Sequence, residues 1–190
     1  MRIITGIAKG TVLKTLNGDA TRPTAERVKE AVFSMLQFDI QDRTVLDLFS
    51  GSGQMGLEAL SRGAMHATLV DKSKDAIRII EENTKKARLV DNTTICQSDY
   101  LEFIKRNVGK KFDIVILDPP YANGFYIPAL KALLASDMLK RSTIIVCESG
   151  TKEILGEETG LKSTFEVLKQ VKYASTYITL LKLAKEEENE

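Results

Sequence analysis

The sequence predicts a doubly wound α/β fold, with a mostly parallel sheet closed at one edge by an antiparallel C-terminal pair. Three observations predict it. From Thr44 onward, short apolar runs alternate with amphipathic helical stretches almost to the end of the chain. The run Ile114-Val115-Ile116-Leu117 stops abruptly at Asp118-Pro119-Pro120-Tyr121, as a strand buried on both faces does where two prolines cannot donate to a ladder. Beyond Glu148 the texture changes to β-rich stretches with only partial alternation.

In chain order, Arg2 to Thr5 and Thr11 to Leu16 read as short strands joined through Gly6 and Gly10, a hairpin with a loose turn. Thr21-Arg22-Pro23-Thr24 opens a helix, Pro23 fixing its entry and Thr24 serving as N-cap. Ala25, Val28, Ala31, Val32, Met35 and Leu36 recur at helical spacing and form the stripe that packs on the main domain. Strands are expected at Thr44 to Phe49, Ala67 to Asp71, Thr93 to Gln97, Phe112 to Leu117 and Thr143 to Glu148, with helices between them. The clearest helix has Ser73 as its cap and Ala76, Ile77, Ile80, Thr84 and Ala87 on one face. Others run from Leu57 to Arg62 and from Tyr100 to Asn107, and Ser163 to Lys169 with Tyr173 to Leu183 make the antiparallel pair. Residues 1–43 are thus expected as a small hairpin-plus-helix appendage, 44–184 as the main domain and 185–190 as a frayed charged tail.

A chain of 190 residues suits one domain with a substantial core. Its 27 basic and 26 acidic residues leave a net charge of +1, so no global field announces a nucleic-acid partner. Locally the balance differs: up to Lys29, six basic residues (Arg2, Lys9, Lys14, Arg22, Arg27, Lys29) face only Asp19 and Glu26. That segment is either a phosphate-contacting surface or a solvated face. Cys96 and Cys147 lie far apart in apolar runs and His66 is the single histidine, so no metal-ligand spacing exists. Both cysteines read as buried thiols of a reducing cytosol. No apolar stretch reaches the roughly 18 residues of a membrane span, and the N-terminus has no signal-peptide core. The expectation is a soluble, cytoplasmic monomer that binds no membrane.

Two sets of residues carry chemistry. The first is the loop Asp47-Leu48-Phe49-Ser50-Gly51-Ser52-Gly53-Gln54-Met55-Gly56. Gly51, Gly53 and Gly56 satisfy a dinucleotide fingerprint, which brings a pyrophosphate to a helix N-terminus and a ribose to Asp71. Asp47 argues for another cofactor, because an acid four residues before the glycines repels a pyrophosphate but accepts from a cationic amino group. S-adenosylmethionine carries such a group, and nothing else in the chain supplies redox chemistry, so the methyl donor outweighs the dinucleotide. Ser50, Gly51 and Gly53 then hold the cofactor with the loop. Asp71 accepts from both ribose hydroxyls or merely precedes a helix. Asp99 accepts from the adenine amino group, with Tyr100 beside it, or is an N-cap.

The second set is Asp118-Pro119-Pro120-Tyr121, at the carboxyl edge where α/β sheets bind ligands. A conjugated exocyclic amine is a poor nucleophile because its lone pair is delocalised into the ring. The Asp118 carboxylate and the Pro119 carbonyl each take one of its N–H groups and stabilise the positive charge that builds on nitrogen, Pro120 stiffens the backbone and Tyr121 stacks on the base. An aspartate with a pKa of about 4 is ionised at neutral pH, so no strong base is needed.

These motifs together resemble the class I S-adenosylmethionine-dependent amino-methyltransferases, a Rossmann-like fold. Narrower features are similar to the ribosomal RNA small subunit methyltransferase D family: the start Met1-Arg2-Ile3-Ile4-Thr5-Gly6, the Thr21 to Thr24 helix entry, Gly56-Leu57-Glu58-Ala59-Leu60-Ser61-Arg62-Gly63-Ala64, and Leu117 to Tyr121. The resemblance spans nearly the whole chain. It implies N2 methylation of one guanine in 16S ribosomal RNA, on the RNA or on a small-subunit assembly particle, with S-adenosylmethionine as cofactor. The excess of basic residues before Ala31 makes residues 1–43 the expected RNA-recognition appendage, with Arg2, Lys9, Lys14, Arg22 and Arg27 as the RNA-binding candidates. Asp71 stands where the family often has Glu, which shortens the reach to the ribose by one methylene. The Asp-Pro-Pro-Tyr run is shared with adenine-N6 enzymes, so a DNA adenine-N6 methyltransferase is the nearest rival and a dinucleotide-dependent oxidoreductase the next.

Overall fold

The computed structural model of the protein describes residues 1–16, 23–120 and 124–185, with the backbone alone at 23–25. All of the expected charged tail beyond Lys185 lies outside the described residues. Seven strands form one sheet: β1 (Thr44–Asp47), β2 (His66–Asp71), β3 (Thr93–Gln97), β4 (Phe112–Leu117), β5 (Leu139–Ser149), β6 (Phe165–Tyr173) and β7 (Thr176–Leu183). Their order is β3-β2-β1-β4-β5-β7-β6. The first five are parallel, and β7 runs antiparallel to both β5 and β6. The chain works outward from β1 to β3, then returns to pair β4 on the other side of β1. That reversal makes a switch point, with a crevice at the carboxyl ends of β1 and β4.

Helices cover both faces, as a parallel sheet buried on both sides requires. α1 (Pro23–Met35), α2 (Gln54–Ser61) and α3 (Lys74–Ala87) pack on one face, where Val28, Val32, Leu57 and Ile80 meet Val45, Ile114, Ile116 and Val146. α4 (Tyr100–Arg106) and α5 (Tyr126–Ala135) pack on the other, where Phe103, Leu130 and Leu133 meet Leu46, Val115, Leu117 and Cys147. The alternation of neighbours along each strand assigns these residues to opposite layers. Ser73 caps α3 as expected, its hydroxyl accepting from the Ala76 N–H.

The central strands fall where the sequence places them, within a few residues, and the antiparallel pair closes the edge. Several local expectations are corrected. β1 ends at Asp47 rather than Phe49, because the chain turns into the glycine loop, although Leu48 N–H still donates to the Ile116 carbonyl. α1 begins at Pro23, so Thr24 lies inside its first turn rather than capping it. The stretch Thr159–Thr164 forms a short helix, α6, where the sequence suggests a strand from Ser163, and the Thr164 hydroxyl bonds back to the Gly160 carbonyl. Both cysteines are free thiols, but only Cys147 is buried; Cys96 is half-buried because β3 is an edge strand.

The N-terminal hairpin is present in short form: an antiparallel bridge joins Arg2 to Val12, with Ile3 N–H donating to the Thr11 carbonyl and Leu13 N–H to the Met1 carbonyl. The amides between the two arms, those of Ile4, Thr5, Ile7 and Ala8, go instead to α2. Gly6, at φ +89°, lies so close to it that a Cβ would sit 1.6 Å from the Ser61 carbonyl oxygen, and Ile7 N–H donates to that oxygen. Glu58, fully buried on α2, accepts from Ile4 N–H at 2.7 Å and Thr5 N–H at 3.1 Å. Ile3, Ala8 and Leu13 join the same core as α1, α2 and the sheet. Lys29 is therefore not part of a basic surface. It is 1% exposed, paired with Glu58 at 3.4 Å, and its ammonium donates to the Arg2 carbonyl.

Candidate active site

A cavity of about 690 Å³ opens at the carboxyl edge of the sheet, lined by residues from the loops after β1, β2, β3 and β4, by Glu148 of β5, and by Met1, Thr15 and Lys29 of the N-terminal segment and α1. The loop after β1 forms its floor. Gly53, at φ +78°, starts α2 in a conformation that glycine adopts without steric cost. Gly56 lets α2 approach β2 so closely that a Cβ would meet Leu69 Cδ2 at 2.1 Å. Ser50 Oγ donates to the Asp47 carbonyl at 2.9 Å and Ser50 N–H to the Val70 carbonyl, which ties the loop to its own strand and to β2.

Asp71 locks this loop. One of its carboxylate oxygens accepts from Gly51 N–H at 2.9 Å and the other from Ser73 N–H at 2.8 Å. Each oxygen retains a lone pair for a ligand hydroxyl. Ser73, not Asp71, is the helix cap, so the cap alternative for Asp71 is set aside. Asp47 stands one layer back: Leu48, Phe49, Ser50 and Gly51 line the cavity while Asp47 is 1% exposed beneath them. Burial, with the nearby charge of Asp71 adding to it, pushes the Asp47 carboxyl up to about 7. Its Oδ2 is buried with no hydrogen-bond partner.

On the β3 side, Asp99 is an N-cap, one oxygen accepting from Leu101 N–H at 2.9 Å, and it also lines the cavity. Capping and a place in the cavity thus meet at one residue. Tyr100 stands beside it, in ring contact with Phe49 at 5.0 Å and Phe125 at 5.9 Å between centroids, and Phe49 meets Phe125 at 5.7 Å. This apolar trio is not legible in the sequence, because its members come from the ends of three separate segments. Each does share one local signal: an aromatic just past a strand or at the start of a helix.

Asp118, Pro119 and Pro120 follow β4 and line the same cavity. Tyr121 lies outside the described residues. Glu148, near the end of β5, also lines the cavity, and burial pushes its carboxyl up to about 7. In the sequence it reads only as a strand terminus. The RNA-binding candidates that the structure describes lie on the N-terminal segment and α1. Arg2 reaches toward Glu26 at 3.7 Å, Lys14 pairs with Glu82 at 2.8 Å, Lys9 and Arg27 are exposed, and Arg22 lies outside the described residues.

The donor side fits S-adenosylmethionine. It offers a glycine loop against a helix N-terminus, an aspartate with lone pairs free for hydroxyls, and an aromatic wall that suits an adenine, whereas Asp47, expected to meet the cofactor's amino group, is buried behind the loop and does not line the cavity. A family described as Conserved hypothetical protein 95 matches residues 1–182. YlbH of Bacillus subtilis, named as an rRNA methyltransferase by assignment, is 38% identical over 168 residues, covering 84% of this chain and 88% of that protein. Ribosomal RNA small subunit methyltransferase D of Haemophilus influenzae is 33% identical over 151 residues, 78% of each chain. Among solved structures, yhhF of Escherichia coli, assigned as a methyltransferase, superimposes with a TM-score of 0.82 at 27% identity, covering 96% of this chain and 97% of that one. The chain belongs to the ribosomal RNA small subunit methyltransferase D family and has the fold of the class I methyltransferases.

Proposed function

We propose that the protein is an S-adenosylmethionine-dependent enzyme that methylates the exocyclic N2 amine of a guanine in 16S ribosomal RNA. The observation that carries this reading is the meeting of two sets of residues in one cavity: the Gly51 loop with Asp71 on the β1–β2 side, and Asp118-Pro119-Pro120 on the β4 side. The relatives' names, which specify ribosomal RNA, favour RNA over DNA as the substrate. When bound, S-adenosylmethionine supplies an electrophilic methyl group.

The chain's own residues do the rest. Asp118 and the Pro119 carbonyl orient the amine and stabilise charge as it develops on nitrogen. Asp71 keeps the Gly51 backbone in place, so the cofactor side is formed before the RNA arrives. Tyr121 stacks on the base. Residues 44–184 perform the chemistry in the cytoplasm, as a monomer, and residues 1–43 contribute RNA contacts through Arg2, Lys9, Lys14, Arg22 and Arg27. The decisive experiment digests ribosomal RNA from cells with and without the gene and compares the nucleosides by mass spectrometry. Loss of one N2-methylguanosine supports the reading; loss of an N6-methyladenosine, or no change, overturns it.

A further inference from the structure

Glu148 stands beside the acceptor motif on a neighbouring strand. β4 and β5 run parallel with Leu117 opposite Cys147, so Asp118 and Glu148 are the next residues of two strands that lie about 4.8 Å apart in a sheet. Leu117 and Cys147 share one core layer, while Ile116 and Val146 share the other. By alternation, Asp118 and Glu148 leave their strands toward a common face. Both line the cavity, as do Pro119, Pro120 and Phe125 of the aromatic wall. The main chain at Glu148 is held from two sides, its carbonyl accepting from the Tyr126 hydroxyl and its position paired with Ile178 in β7. Burial raises the Glu148 carboxyl to about 7, so the side chain is a carboxylate, an acceptor only, once the pH stands well above that.

We propose that Glu148 reads the acceptor base, its carboxylate taking the N1–H of a guanine whose N2 amine is held by Asp118 and Pro119. This rests on the guanine-N2 reading given above. The Watson–Crick edge of guanine carries the N1–H and N2–H donors side by side, and two acceptors on one face match that pair. Adenine instead offers a bare acceptor at N1 beside its amine, and a carboxylate there meets it lone pair to lone pair. The Asp-Pro-Pro-Tyr run serves either amine, so the second acid is what separates them.

At a pH well above 7, where Glu148 is ionised, the test replaces the methylated guanine of an RNA substrate by 2-aminopurine, which keeps the N2 amine but has an acceptor at N1. The wild-type enzyme should favour guanine in kcat/KM by about tenfold or more, since a site built to accept an N–H rejects an analogue lacking it. Glu148→Gln and Glu148→Ala should bring that ratio toward one, because glutamine can donate to the bare N1 and alanine reads neither base. Calorimetry should find the S-adenosylmethionine affinity of both variants unchanged. A wild-type ratio near one, or a ratio that both variants retain, overturns the role of Glu148 and leaves guanine-N2 methylation standing. Failure of the wild type to methylate guanine N2 at all overturns both.

Discussion

Lys29 and Glu58 form an ion pair at 3.4 Å in which the two side chains are 1% and 0% exposed. Glu58 also accepts from Arg62 and from two backbone amides of the N-terminal segment, so one buried carboxylate joins α1, α2 and the first residues of the chain. Burial pulls the Lys29 ammonium below its usual range, while Glu58 pulls it back.

Removing one partner of a buried pair leaves an uncompensated charge, at a cost of about 3–5 kcal/mol. Glu58→Ala should destabilise the protein by that amount in urea unfolding, because it strands Lys29, Arg62 and the Ile4 and Thr5 amides together. Lys29→Met should cost less, since Glu58 keeps its other three donors. Equal stability of wild type and Glu58→Ala would refute this account of how the N-terminal segment is anchored.

Asp47 gives a pH prediction. Its folded carboxyl titrates at about 7 against an ordinary 3.8, so the folded state holds the proton more tightly than the unfolded state. Its stabilising contribution is complete below about pH 4, is lost progressively as pH rises toward 7, and is constant above that, a change of about 4 kcal/mol. Asp47→Asn removes this titration. Relative to wild type, the variant should gain stability between pH 5 and pH 8 in parallel denaturation series. A gain that shrinks as pH rises would show that the carboxyl is not held protonated by burial.

Asp118→Ala should leave cofactor affinity nearly unchanged and reduce methyl transfer by orders of magnitude, because an acceptor aimed at developing charge acts mainly in the transition state. Asp118→Asn should be milder, since it keeps a carbonyl acceptor. Single-turnover rates decide the matter, and an Asn variant as inactive as Ala would mean that the carboxylate works as a base.

RNA binding is tested by salt. Removing one cation from a phosphate should lower the slope of log affinity against log salt by about 0.7–0.9. Lys9→Ala and Arg22→Ala should each show this, and Lys14→Ala should show less because Glu82 already holds its ammonium. Unchanged slopes in all three variants, with folding intact, would make the segment a solvated face.

The central strands and both chemical motifs are legible because they are local: an apolar run that ends in prolines, or a glycine cluster after a strand, announces itself within about ten residues. The features that escape a sequence reading depend on distant partners. Lys29 looks like any surface lysine until Glu58 is placed beside it. The segment from Arg2 to Leu16 has hairpin texture and its arms do pair, but nothing local announces that Gly6 docks against Ser61 and that the amides of Ile4, Thr5, Ile7 and Ala8 go to α2. Glu148 acquires meaning only from the register that sets it next to Asp118. α6 contains glycine and two threonines, poor helix formers, and exists through packing of Leu161 into the core.

The cofactor half of the sheet and the acceptor half touch along a single ladder of three pairs, Val45 with Ile114, Leu46 with Val115 and Asp47 with Ile116. These residues therefore act as a gauge as well as a core. A slip of one residue along that seam would carry Asp118 about 3.3 Å past the glycine loop and turn it to the opposite face of the sheet. The spacing between donor and acceptor in this enzyme is thus set mainly by apolar side chains that never meet either one.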